Sequence, residues 1–199
     1  MTEPGQRAMT FEGIFKTGDA RRDNFRSRLF GMFSEDIVRY WAANERASYT
    51  CIGRPTIWEG SAFATIDFTL QAPDGRTYVA EQKAELAWMN YAYLRLDRSD
   101  QVAHHAGKRA FDWFLEAARE PGRRTVKNNG KPIKVDGAIL VWGAVTPLGR
   151  SAAIADYGFA DVLGLEDMLA DLVAWQDPAW TAHVDELASH AAGLFEALK

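Results

Sequence analysis

Alternating apolar and polar residues predict a β-hairpin between residues 61 and 86. The run from Ala62 to Leu70 places a small or apolar residue at every second position, and Thr77 to Ala84 alternates again. Between the two runs, Pro73–Gly75 fits a three-residue hairpin loop, because proline suits the first central position of a type I turn and glycine supplies the left-handed residue that follows. The two runs are therefore expected to pair as antiparallel strands.

The loop determines which residues face each other, because three loop residues at 73–75 make paired residue numbers sum to 148. Asp67 is then directly across from Glu81, while Lys83 lies beside Glu81 and opposite Thr65. Two carboxylates about 5 Å apart repel each other by about 3 kcal/mol at an effective dielectric constant of about 20. A bound divalent cation reverses the sign of that interaction, so this patch is a candidate metal site.

Helix and strand patterns precede the hairpin. An apolar stripe at helical spacing predicts a helix over residues 22–43. The first strand after it is either Tyr49–Ile52 or Thr56–Trp58, with a kink or bulge at residues 53–55. Residues 1–10 show no periodicity and are expected to be frayed.

A second helix and a buried strand follow the hairpin. Asp97 or Ser99 can cap a helix that runs to about residue 118. The continuous apolar run at 138–145 predicts a strand that is buried on both faces. A helix between two strands of one sheet forms a crossover, so this strand is expected to run parallel to the second hairpin strand.

Residues 151–199 are expected to form a helical extension. One apolar stripe at helical spacing runs through residues 163–175, and Asp177-Pro178 interrupts it. Residues 180–198 then have the pattern of a second helix. The extension is expected to pack on the core or to mediate a homodimer.

An aspartate on one strand, followed by the Glu-x-Lys triplet Glu81-Gln82-Lys83 on the next antiparallel strand, resembles the PD-(D/E)XK nuclease superfamily. The resemblance covers about residues 22–145 and implies the restriction-endonuclease-like fold, an α/β fold whose αβββαβ core holds a mixed sheet flanked by helices. With 199 residues, 47% of them hydrophobic, the chain is long enough for one substantial core. We expect a single domain over residues 1–199, with the nuclease-like core at about 22–150 and the helical extension after it.

The resemblance implies a metal-dependent nuclease that hydrolyses phosphodiester bonds of nucleic acid, with DNA as the expected substrate. Asp67 and Glu81 are expected to hold Mg²⁺ or Mn²⁺, because these hard cations prefer oxygen ligands. Lys83 is expected to orient the attacking water and to offset charge in the transition state, which makes Lys83, Asp67 and Glu81 the predicted catalytic residues. Two alternatives are open: a non-catalytic member of the same fold that acts as a binding or assembly subunit, and an acidic-site enzyme of another α/β fold.

Two further elements of the family pattern have counterparts that the sequence leaves open. The first helix commonly offers one more acidic ligand, for which Glu35, Asp36 and Glu12 are candidates, each with a solvent-facing role as the alternative. In the RecB-like branch, a glutamine is followed four residues later by a tyrosine, whereas this chain has Gln101 followed by His105. Gln101 is therefore a candidate substrate-binding residue. His104 and His105 would point about 100° apart on a helix, so we expect surface histidines and not a pair that ligates one metal.

The net charge of −4 combines −8 in residues 151–199 with +4 in residues 1–150. The most basic stretch, residues 119–134, holds six bases and one acid, and is expected either to contact phosphates or to be a solvated loop. The single cysteine, Cys51, cannot form an internal disulfide. Neither a signal-peptide pattern nor an apolar run of membrane-spanning length is present in the sequence, which predicts a cytoplasmic protein that does not enter membranes.

Overall fold

Three β-sheets, six α-helices and one 3₁₀ helix form the described part of the chain in the computed structural model, which covers residues 10 to 199 and leaves the prediction for residues 1–9 outside it. In chain order the elements are α1 (Phe11–Phe15), α2 (Ala20–Ala43), β1 (Thr50–Gly53), β2 (Pro55–Glu59), β3 (Ala62–Thr65), β4 (Phe68–Gln71), β5 (Thr77–Lys83), β6 (Arg95–Leu96), a 3₁₀ helix (Ser99–His105), α3 (Arg109–Arg119), β7 (Thr125–Asn128), β8 (Lys131–Ile133), β9 (Gly137–Trp142), β10 (Ala144–Val145), α4 (Pro147–Tyr157), β11 (Asp161–Gly164), α5 (Leu165–Ala174) and α6 (Pro178–Ala197).

The central sheet has the strand order β1-β4-β5-β9-β11. Its first three strands are antiparallel neighbours, whereas β9 runs parallel to both β5 and β11. Helix α3 lies in the crossover between β5 and β9, and all six residues of β9 are buried, as the apolar run predicted. The predicted fold class is therefore confirmed at the level of an α/β protein with a mixed sheet flanked by helices.

The hairpin between β4 and β5 has the predicted register. Phe68 pairs with Ala80 and Gln71 with Thr77, so that paired numbers sum to 148. The loop closes through the hydrogen bond from the Gly75 amide to the Ala72 carbonyl, at 2.9 Å, and Gly75 has the left-handed φ of 87° that this loop requires. The turn chemistry of residues 73–75 thus sets the alignment of the two strands.

The strand before that loop is not continuous, which corrects the prediction for Ala62 to Leu70. It breaks at Asp67: β3 joins a second sheet of order β3-β2-β7-β8, and only β4 enters the central sheet. Thr65 consequently pairs with Thr56 and is not opposite Lys83. Both candidate first strands exist, but only β1 lies in the central sheet, with a bulge between Cys51 and Gly53.

Two apolar cores cover the faces of the central sheet. One lies against α1, α2, α5 and α6, and the other against α3, α4 and the second sheet. Ile66 is buried in the second core and Phe68 in the first. Residues two apart in a straight strand point to the same face, so the bend at Asp67 is what directs these side chains apart. Each large buried side chain contributes about 1.5–3 kcal/mol.

Several helical predictions need correction. Helix α2 is present, capped by the Asp19 carboxylate, but Phe25 and Leu29 of the predicted apolar stripe are exposed. The helix expected from about residue 97 to 118 is divided into the 3₁₀ helix and α3. Residues 151–199 are not purely helical, because Asp161–Gly164 forms β11 at the edge of the central sheet. Among residues 10–199, no helix combines the length and the apolar character that crossing a bilayer requires.

We expect Gly149→Ala to destabilise the protein by about 2 kcal/mol, because overpacking a close contact forces the backbone to move. A Cβ atom at Gly149 would lie 2.1 Å from the Leu96 carbonyl oxygen, where α4 packs beside the segment that leads into the 3₁₀ helix. Gly193→Ala is the matched control, since a Cβ there meets no atom within 4 Å and helix propensity favours alanine. Urea unfolding of both variants measures the difference; equal stabilities would contradict the close packing.

Candidate metal centre at the end of strand β5

Asp67 occupies the bend between the two sheets, beside the end of β5. Its Oδ2 accepts a hydrogen bond from the backbone amide of Gln82 at 2.8 Å, and its Oδ1 lies 3.4 Å from the Arg54 guanidinium. The side chain is 18% exposed, so solvent reaches it. The break in the strand thus places this carboxylate against the Glu-x-Lys triplet.

Glu81 and Lys83 project from the same face of β5. Glu81 is buried, and its Oε1 accepts a hydrogen bond from the Lys83 ammonium at 2.6 Å. Its second oxygen, Oε2, is buried without a hydrogen-bond partner. The ammonium also lies 5.5 Å from the centre of the Phe111 ring, which fixes its position from the side of α3. A buried carboxylate oxygen without a partner is costly, and a cation would satisfy it.

Burial raises the pKa of Glu81, and the negative charge of Asp67 raises it further, while Lys83 opposes both effects. The dependence of the Glu81 pKa on Asp67 agrees with the predicted proximity of the two carboxylates. A divalent cation beside the two carboxylates would lower the energy of their charged forms. The pair has the electrostatic character expected of a divalent-metal site.

No candidate acid of the first helix region joins this pair. Glu35 and Asp36 both bind Arg39, and Asp36 also contacts His183. Glu12 forms exposed ion pairs with Lys16 and Arg95. The α2 residue that contacts the triplet is Ser34, whose hydroxyl accepts a hydrogen bond of 2.7 Å from the Gln82 side chain.

A second group of ligand-type side chains lies just beyond the triplet. Glu85, His104 and His105 each offer one ligand atom, and these atoms lie within 4.8 Å of one another. His105 is buried, with an exposure of 1%, so the expectation of surface histidines is wrong for this residue. Sequence reasoning missed the group because it considered the two histidines alone, whereas Glu85, from the segment after β5, reaches both rings. The alternation Glu81-x-Lys83-x-Glu85 is a signal that points to Glu85, since residues two apart share a face of an extended segment.

Burial lowers the pKa of His105 to about 4, and the charge of Lys83 acts in the same direction. The folded state therefore holds His105 neutral, while the unfolded chain takes up a proton as the pH falls below about 6.5. As the pH falls from 6.5 to 4 in chelator, we expect protonation of His105 in the unfolded chain to lower the free energy of unfolding by about 3 kcal/mol.

The measurement is the difference in unfolding free energy between the wild type and His105→Gln across that range. Glu81 has the opposite effect on stability, because its raised pKa makes the free energy of unfolding fall as the pH rises. Comparing the wild type with the variant therefore isolates the contribution of His105. A difference that is constant from pH 6.5 to pH 5 would rule out a buried neutral histidine at this position.

Gln101 has a structural role in this geometry. Its Oε1 accepts hydrogen bonds from the amides of Asp97 and Arg98, and its Nε2 donates to the carbonyls of Ala92 and Arg95. Both amide protons are used and the side chain is buried. The predicted phosphate contact of Gln101 stays a prediction that this geometry does not favour.

Three of the six bases in the stretch at 119–134 form ion pairs, namely Arg123, Arg124 and Lys134. Arg123 and Arg124 are paired with Glu116, and Arg124 also with Glu59. Lys127 lies 4.2 Å from the centre of the Trp58 ring. This segment forms the end of α3 and the strands β7 and β8, and is therefore not a simple solvated loop.

Comparisons with protein-family models, with curated proteins and with solved structures find no match for this chain. Functional inference therefore depends on the residues and their geometry.

Proposed function

We propose that the protein is a metal-dependent nuclease of the PD-(D/E)XK type, which hydrolyses phosphodiester bonds of nucleic acid, with DNA as the substrate. The observation that carries the proposal is the meeting of Asp67, Glu81 and Lys83 where β4 and β5 adjoin. The order α2, β1, β4, β5, α3 and β9 matches the αβββαβ core of the restriction-endonuclease-like fold, which supports the same conclusion.

The residues at this site fit a hard divalent cation. Asp67 and Glu81 would hold Mg²⁺ or Mn²⁺, and the partnerless Oε2 of Glu81 is an oxygen of the type that these ions prefer. The bound ion would make a water nucleophilic near neutral pH and offset charge on the phosphate. Lys83 orients that water and adds positive charge close to the transition state.

A cleft of about 440 Å³ beside Asp67 offers room for a phosphate backbone. Arg39 and Arg54 line it together with Asp67. Arg54 is 55% exposed and makes only a long contact with Asp67, so its guanidinium is accessible to a phosphate group. Cationic side chains next to an acidic metal site suit a polyanionic substrate, whose affinity should then fall with rising salt.

A nuclease assay tests the proposal directly. The purified protein is incubated with single-stranded DNA, double-stranded DNA and RNA, each in Mg²⁺, Mn²⁺ or chelator. We expect cleavage of DNA that requires the metal and stops in chelator. Cleavage of RNA alone would overturn the choice of DNA as the substrate. If none of the three nucleic acids is cleaved in a metal-dependent way, the proposal that the protein is a nuclease is overturned.

A non-catalytic member of the same fold is the second candidate. The observation that favours it is Ser34, because α2 presents a hydroxyl and not a carboxylate to the triplet. Titration calorimetry with Mn²⁺ separates the two functions. If the protein is a nuclease, it should bind Mn²⁺ at millimolar or lower concentration, and Asp67→Asn should abolish this binding. A binding subunit has no such requirement for Mn²⁺.

The homodimer through the C-terminal helices stays a prediction. Helix α6 buries Trp180 but leaves several large apolar residues exposed, namely Val184, Leu194 and Phe195, with Leu198 just beyond its end. Such apolar surface is compatible with a second copy of the chain.

A further inference from the structure

Glu85, His104 and His105 converge from two separate segments of the chain. Glu85 follows β5, two residues after Lys83, while the histidines end the 3₁₀ helix. The Gln101 side chain fixes that helix through four hydrogen bonds to backbone groups on its N-terminal side. The convergence therefore depends on ordered structure and not on the chance meeting of two surface loops.

Aromatic rings hold both imidazoles in place. His104 lies beside Tyr93 and Trp88, with ring centres 4.5 and 6.0 Å away. His105 packs edge-on against Phe111 and Trp142, at 5.4 and 5.6 Å. Rings that are confined in this way lose little conformational entropy when they bind a ligand.

The distances between the ligand atoms are close to those around a single ion. His104 Nε2 is 3.2 Å from Glu85 Oε2, and His105 Nδ1 is 3.9 Å from Glu85 Oε1. Two ligand atoms with bonds of about 2.1 Å to one zinc ion lie at most about 4.2 Å apart. Small side-chain rotations therefore suffice to bring the group around an ion.

Hydrogen bonding within the group is incomplete. Glu85 Oε2 is buried without a hydrogen-bond partner. An ordinary structural histidine–carboxylate pair would satisfy the glutamate oxygen with a well-aligned hydrogen bond. The unsatisfied oxygen lies 3.2 Å from the His104 Nε2, a separation that two neighbouring ligands of one zinc ion can have.

The charge around the group favours a dication. Asp67, Glu81 and Glu85 bring three negative charges, and Lys83 brings one positive charge that Glu81 already neutralises. Lys108 is the other cation close enough to affect His105. Arg54 lies against Asp67, so these carboxylates with Lys83 and Arg54 carry a net formal charge of −1, which favours a cation.

We propose that Glu85, His104 and His105 bind a late first-row divalent metal, with Zn²⁺ as the best fit, at a site distinct from the Asp67–Glu81 pair. Two imidazoles and one carboxylate are ligands typical of Zn²⁺ and related ions, whereas Mg²⁺ prefers oxygen ligands throughout. Three protein ligands leave a fourth position for water, as in zinc sites that are open to a substrate. The site is independent of the proposed nuclease activity.

Competition with a chromophoric chelator measures the affinity for Zn²⁺, and the visible spectrum of bound Co²⁺ reports nitrogen ligands. We expect one Zn²⁺ per chain, and a loss of affinity of about tenfold or more in Glu85→Gln and in His104→Gln. Both residues are partly exposed, so these variants are expected to fold; thermal melts in chelator check this. His190→Gln is the matched control, since His190 lies near Glu186 on the exposed face of α6.

The Zn²⁺ affinities of the variants decide whether the proposed zinc site exists. Zn²⁺ binding that survives Glu85→Gln and His104→Gln, or that is lost in His190→Gln, would overturn the site. Zn²⁺ binding that Glu81→Gln removes and Glu85→Gln does not would place the ion at the acid pair and also overturn it. Loss of nuclease activity in Asp67→Asn, with Zn²⁺ affinity unchanged, would show that the two sites act separately.

Discussion

Lys83→Ala is expected to lower metal-dependent cleavage by about 10²- to 10⁴-fold, the range that one positioned group contributes to proton transfer and charge stabilisation. Lys83 is the cation that contacts the buried Glu81, at 2.6 Å, and the Phe111 ring holds it in place. Its charge is therefore fixed where the phosphate and the attacking water would meet. Cleavage rates at saturating Mn²⁺ measure the effect.

Metal binding distinguishes a catalytic role of Lys83 from a structural one. Without the ammonium, Glu81 loses the cation that it contacts, so Lys83→Ala should bind Mn²⁺ at least as tightly as the wild type while cleaving slowly. Lys83→Met keeps most of the side-chain volume beside Phe111 and should be equally inactive. Lys199→Ala, in the exposed C-terminal turn, is the control that should keep full activity. Cleavage at the wild-type rate by the Lys83 variants would remove this residue from the mechanism.

Asp67→Asn should raise the melting temperature in chelator and abolish the stabilisation by metal. The substitution removes one of the two like charges that raise the energy of ionised Glu81. The asparagine oxygen can still accept the hydrogen bond from the Gln82 amide, and the long contact with Arg54 is worth little at its exposure. A gain of about 1 kcal/mol corresponds to about 2–4 °C in a chain of this size.

The same melts with Mn²⁺ complete the test. A ligand that binds only the folded state raises the melting temperature of the wild type, and this increase should vanish in Asp67→Asn. Asp185→Asn changes the net charge by the same amount on the exposed surface of α6, so it controls for general electrostatics. A melting temperature in chelator that stays equal or falls in Asp67→Asn would exclude two opposed carboxylates.

Local turn chemistry explains why the register of the site could be predicted. Residues 73–75 determine the pairing of β4 and β5 by themselves. This pairing ends at Phe68 and Ala80, so Asp67 lies just beyond it and contacts the Gln82 amide, next to Glu81. The buried parallel strand was also predictable, because β9 is apolar on both faces. Both signals depend on neighbours in the sequence and need no knowledge of distant contacts.

Tertiary contacts decided the features that the sequence did not predict. The break at Asp67 arises because β3 pairs with β2 in another sheet, and an alternating pattern does not show where a strand changes partner. Strand β11 has only four residues and is fixed by its pairing with β9. The group around His104 and His105 forms because Glu85 approaches both rings from a separate segment, which the periodicity of neither segment shows.

The break at Asp67 also divides the chain into parts with different tolerance to insertion. Gly60 lies at the exposed tip of the hairpin β2–β3, in the second sheet. Doubling the length of a flexible loop costs only about 0.6 kcal/mol, so a peptide tag or a whole domain can be grafted there without changing the pairing of β4 and β5. One extra residue at 73–75 would instead turn every side chain of one strand to the opposite face and separate Asp67 from Glu81. The two hairpin tips therefore suit different uses in engineering: the first as an attachment point, the second as a position to leave intact.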